Sequence, residues 1–151
     1  MADLRLGKEK GPVKIPGLRS DNEKVGRIVF FGRMLDKVRL RSTGLLPADY
    51  STGTADRTSF DARCTRFLSV DYEELRRRVL QGGTDEEILE WCFERGRRPN
   101  ADEIEIWNEF MRKRGWCDSG SAELEEAKRK AGLGSSPEIQ TWFELHAAEE
   151  S

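Results

Sequence analysis

Histidine is nearly missing from this chain and cysteine is scarce: one His and three Cys stand among 151 residues. Cys64, Cys92 and Cys117 are odd in number and far apart, with no Cys-x-x-Cys. That excludes a disulfide framework and points to free thiols in a reducing cytosol. With His146 they also lack the close pairing of ligands that a structural zinc site uses, so no metal and no cofactor is expected. A phosphate-cradling glycine loop, His-Glu-x-x-His and Gly-x-Ser-x-Gly are all missing, which removes the enzyme classes most legible from sequence. No apolar run approaches a membrane span and the N-terminus has no apolar signal region. A cytoplasmic protein without a membrane partner is expected. Net charge is only −2, which speaks against attraction to nucleic acid by the molecule as a whole. No stretch reads convincingly as a strand.

What is present is charge, at 36% of residues, together with four Trp and seven Phe, enough large anchors for a packed domain. The charge is split along the chain. Residues 1–66 hold 14 Lys/Arg against 8 Asp/Glu, and the rest hold 12 against 20. The halves could attract each other, or the first could take an anion.

The chain is organised around Thr84–Trp116, TDEEILEWCFERGRRPNADEIEIWNEFMRKRGW. A helix-opening phrase recurs there: a cap residue, Glu three positions on, then Ile, then Trp after three more. The copies are Thr84/Glu87/Ile88/Trp91 and Asn100/Glu103/Ile104/Trp107, with a third at Ser135/Glu138/Ile139/Trp142. Cap and Glu satisfy each other's backbone N–H groups, and Ile and Trp then share the inward face. Gly96 and Gly115 are placed as left-handed stops, with Trp116 closing over the second. The irregular spacing of the copies excludes a solenoid.

Along the chain, residues 1–19 read as an irregular arm, with Val13, Ile15 and Leu18 as its anchors. Ser20 and Glu23 suggest a capping box, and a long central helix is expected to about Thr43, stopping at Gly44. Residues 45–59 form a loop of functional length. A short helix follows from Ser59, then helices over 71–81, 84–95, 100–114, 121–131 and 135–148. The expectation is an all-α fold of about six main helices: a single compact domain over 20–151 behind the arm.

Basic clusters at Arg76–Arg78, Arg95–Arg98, Arg112–Arg114 and Lys128–Lys130 each end a helix that begins acidic. This is charge that complements helix dipoles, so no nucleic-acid partner is expected. The first helix differs, because its charges lie among core residues. Gly32, Asp36 and Arg39 are close on the helical wheel, Arg33 is one turn from Asp36 and Lys37, and Asp61, Arg63 and Arg66 offer partners. Charges placed so must be paired if buried. Arg33, Asp36, Arg39, Asp61, Arg63 and Cys64 are therefore the candidate site residues. They form either a structural ion network or an anion pocket with Arg39 and Arg63 as donors. Cys64, beside Arg63 and Arg66, is the one thiol whose sequence neighbours could lower its pKa.

The strings FGRMLDKVRLRSTGLLPADY, FDARCTRFLSVDYEEL and GGTDEEILEWCFERGRRPNADEIEIWNEFMRKRGWCD resemble an uncharacterised bacterial domain-of-unknown-function family of roughly this length. The resemblance covers about residues 15–148. It implies a small helical cytosolic protein and supplies no activity or site residue. Three functions follow from the residues themselves. The first is a non-catalytic domain that binds a small anionic ligand or an acidic segment of a protein partner. The alternatives are a structural or oligomerising module, and an enzyme of unknown reaction using Asp36 or Asp61 with Arg39 or Arg63, and Cys64 as nucleophile.

Overall fold

A computed structural model describes residues 12–151. Residues 1–11 of the expected arm lie outside that range. The described chain is mainly helical, with seven helices and one two-stranded hairpin. In order these are β1 (Lys24–Val25), β2 (Ile28–Val29), α1 (Phe31–Ser42), α2 (Phe60–Leu68), α3 (Tyr72–Leu80), α4 (Asp85–Arg95), α5 (Ala101–Lys113), α6 (Ser121–Lys130) and α7 (Trp142–Glu150). The described residues group into two compact units, one of residues 17–108 and one of residues 12–16 with 109–151.

In the first unit the long helix expected from Ser20 is replaced by the hairpin and a shorter α1. Val25 and Ile28 pair across the turn, as do Lys24 and Val29. Gly26 and Arg27 both have positive φ, 52° and 74°, the backbone that a two-residue hairpin turn needs. β-Branched Val25, Ile28 and Val29 favour extended backbone, and this outweighs their helical spacing. The hairpin edge is covered by α5: the Asn108 side chain accepts from the Val29 N–H and donates to the Arg27 carbonyl, and the Trp107 indole donates to the Val29 carbonyl. The strand's open valences are thus filled, as buried backbone requires. Phe30 then turns left-handed at φ 74°, its N–H donating to the Asp21 carbonyl, and α1 begins at the next residue. Ser20 does not cap a long helix; its hydroxyl accepts from the Asn22 N–H in a local turn.

α1 packs on α3 and β1, and α4 on α3 and β1. The core gathers Ile28, Phe30, Phe31, Met34, Leu35, Leu68, Leu75 and Ile88, all essentially without solvent exposure. Thr84 and Asn100 both form the reciprocal capping box with Glu87 and Glu103. Gly96 is not left-handed: its φ is −108°. A Cβ there would lie 2.0 Å from the Leu68 carbonyl, so close chain approach, not a helix stop, is what demands glycine.

In the second unit Gly115 is left-handed as expected, at φ 105°, but Trp116 is 52% exposed and does not close over the helix end. The third phrase does not open a helix at Ser135. Residues 135–140 run in turns and α7 starts at Trp142, capped reciprocally by Thr141 and Glu144. Leu124, Ile139 and Leu145 form the core of this unit. The buried Lys128 ammonium donates to the Ile139 carbonyl at 2.9 Å, pinning the turn segment to α6.

Candidate functional site

α1 carries three charges that are buried side by side, Arg33, Asp36 and Lys37. Residues three and four apart lie near one another on a helix, yet each of these also finds a partner outside α1. Arg33 Nε stands 3.6 Å from Asp21 Oδ2, both side chains 3% exposed, and Nη1 donates to the Arg19 carbonyl. Lys37 Nζ stands 3.0 Å from Asp61 Oδ1 and donates to the Ser51 carbonyl at 2.9 Å. Asp61 Oδ2 accepts from the Gly53 N–H at 3.0 Å.

Asp36 joins the third group. Arg19 grips it through the backbone N–H, Nε and Nη2, and also donates to Asp85 at 2.6 Å. Arg39 reaches Asp36 at 3.4 Å and Asp85 at 2.8 Å. Two guanidiniums face two carboxylates, so the quartet is neutral. Gly32 makes room for it. A Cβ there would lie 2.8 Å from the Arg19 guanidinium carbon, and Arg19 Nη2 donates to the Gly32 carbonyl. The gap beside Asp36 that the sequence offers to a ligand is thus filled by Arg19. Partial burial pushes the Asp85 carboxyl up, but hydrogen bonds and charge from Arg39 and Arg19 outweigh it and leave Asp85 below the usual carboxylate range. The hydrogen bond to Asp36 in turn holds the Arg19 guanidinium more firmly protonated than usual, against the opposing pull of burial.

Asp61 and Cys64 lie on α2 with Arg63 between them. Arg63 Nε donates to the Thr58 carbonyl at 3.2 Å. Cys64 is wholly buried; desolvation first, and the Asp61 charge second, push its thiol well above the ordinary value despite the opposing charge of Lys37. A thiol held protonated out of reach of water is not a nucleophile. Burial likewise pushes Cys92 up to about 12 and Tyr72 up to about 12.

Of the sequence-derived candidates, Asp36 and Arg39 share one cluster, while Arg33 and Asp61 each belong to another. Four partners were missed: Arg19, Asp21, Lys37 and Asp85. Asp85 reads locally as a first-turn acid of α4, and Arg19 and Asp21 sit where an arm meets a cap, so no local signal marks their long-range role. Lys37 did carry a signal, standing next to Asp36 and four residues after Arg33.

Several side chains of the terminal basic clusters pair with glutamates. Arg76 meets Glu73, Arg95 meets Glu74, Arg98 meets Glu90, and Arg112 and Lys113 share Glu109. Among the described residues no group of three or more His, Cys, Asp or Glu is arranged to hold a metal, and no helix is long and apolar enough to cross a membrane.

The family model described as Domain of unknown function (DUF5069) matches residues 15–151, and the chain belongs to that family. No curated protein matches it.

Proposed function

We propose that this member of the DUF5069 family is a non-catalytic binding module, which takes an anionic group from a small molecule or an acidic partner segment at the rim of the 45–59 loop. One observation carries the reading. Arg41 Nη2 donates to the Tyr50 carbonyl at 2.6 Å and Arg63 Nε to the Thr58 carbonyl at 3.2 Å, so two guanidiniums are fixed on one loop that also bears Arg57. Held in place, such cations lose less freedom on meeting a carboxylate or phosphate. The other cations of α1, Arg33, Lys37 and Arg39, are by contrast committed to Asp21, Asp61, Asp36 and Asp85. Arg41 rather than Arg39 is therefore the donor, with Arg57 on the same loop and Arg63 bonded to it. The buried, protonated Cys64 speaks against the enzyme reading that used it. Free thiols suit the cytosol as the compartment.

A second reading, an oligomerising module, is favoured by Trp116 and Phe110, 52% and 38% exposed, with the Arg114 guanidinium 5.7 Å from the Phe110 ring centre. Native mass spectrometry with a hexaglutamate peptide, beside inorganic phosphate, tests both. The binding reading expects a one-to-one peptide adduct that weakens about tenfold or more in Arg41→Gln/Arg57→Gln. A clean apo mass at millimolar peptide and phosphate would sink it, and a dimer mass with no adduct would support the second reading instead.

A further inference from the structure

The 45–59 loop is tied down by charge, not by apolar burial. Leu46 is buried at its start, yet every residue from Ser51 to Thr58 is exposed or half-buried. The fastenings lie beneath. Lys37 donates to the Ser51 carbonyl, Asp61 accepts from the Gly53 N–H, and the two side chains meet at 3.0 Å with 9% and 2% exposure. Thr52 hydrogen-bonds Tyr72, and Gly53, at φ 87°, lies against the Tyr72 ring. Ser59 Oγ donates to the Gly53 carbonyl, and Arg41 holds Tyr50 from outside. Asp61 Oδ1 has no hydrogen bond, only its ionic contact with Lys37. The Lys37 ammonium also stands 5.4 Å from the centre of the Phe30 ring, which meets Phe60 edge-on.

A buried ion pair is a weak source of net stability, because lost hydration offsets the attraction. It can still act as a latch, because Lys37 and Asp61 each also bond the loop backbone above them, at the Ser51 carbonyl and the Gly53 N–H. We propose that residues 50–59 are a strap latched by Lys37–Asp61, which opens as a unit while α1 and α2 stay folded, and so uncovers that ion pair. The strap has the marks of a low-stability unit: few buried apolar groups and polar fastenings at a handful of points. The inference stands whether or not anions bind at the rim.

Amide exchange of the full chain, read by NMR at Gly53 and at Met34, tests it. The Met34 N–H donates to the Phe30 carbonyl at the first turn of α1. Gly53 is expected to exchange at least about a hundredfold faster than Met34 after correction for intrinsic rates, and to stay insensitive to submolar urea, as local opening does. Lys37→Met, which strands Asp61, is expected to speed Gly53 by about tenfold or more and leave Met34 within about twofold. Arg41→Gln, which strands no buried charge, is expected to speed Gly53 alone by a smaller factor and serves if Lys37→Met does not fold. Equal protection at the two amides, both falling with urea, would overturn the strap, as would variants that speed both amides alike.

Discussion

Arg33, Asp36 and Lys37 stand within five positions of one helix, and each is neutralised by a residue that lies far off in sequence or ahead of the helix. Their burial was legible, because charges set among Met34, Leu35 and Val38 cannot all reach water. Their partners were not, because ion pairing across tens of residues leaves no periodicity to read. Thiol behaviour was misleading for the same reason. Arg63 and Arg66 flank Cys64 in sequence, but α2 turns the thiol into the core, where desolvation dominates. This has a consequence in alkali. Unfolded, the thiols and Tyr72 ionise from about pH 9 to 10. Folded, Cys92 and Tyr72 keep their protons to about pH 12. Above about pH 9 the unfolded state therefore binds fewer protons, and stability present below that pH is lost as pH rises. The urea midpoint is expected to fall steadily from about pH 9 upward, and Cys92→Ala to make the fall shallower. A midpoint flat to pH 11 would mean that the thiols titrate as if exposed.

At the scale of elements, helices with strong local signals were read correctly in kind and nearly in extent. Thr84 and Asn100 cap as their spacing dictates. The misreadings came where two local signals competed. In Val25–Val29, a glycine set between β-branched residues made a hairpin of what helical spacing made a helix. At the third phrase, Thr141 with Glu144 offered a second capping box, and the helix began there instead of at Ser135. Gly96 differs from the helix-stop glycines, since its φ of −108° is not left-handed. What excludes other residues there is the Leu68 carbonyl, with the Arg97 N–H bonded to that same oxygen at 3.0 Å. Gly96→Ala is expected to destabilise by about 3 kcal/mol or more, since a backbone oxygen cannot step aside as a side chain can. Gly44→Ala, at φ 75° with open space around it, is expected to cost only about 1–2 kcal/mol. Chemical denaturation of the two variants side by side checks this, and equal losses would refute the account of Gly96.

For the whole molecule, the basic first half suggested a field that draws anions. Pairing reduces that field from within. Arg19 and Arg39 spend charge on Asp85 from the acidic half, and Lys37 and Arg33 are neutralised inside the same unit. The proposed ligand site lies instead on the loop rim, where the Tyr50 carbonyl fixes Arg41. The central claim is this division between arginines that hold the fold and arginines that meet a ligand. Its most direct measurement is a fluorescence-anisotropy titration of labelled hexaglutamate against Arg39→Gln and Arg41→Gln, at matched low salt. The account predicts wild-type affinity for Arg39→Gln and a loss of about fivefold or more for Arg41→Gln. Wild-type affinity in Arg41→Gln with a loss in Arg39→Gln, or no binding by the wild-type protein, would contradict it.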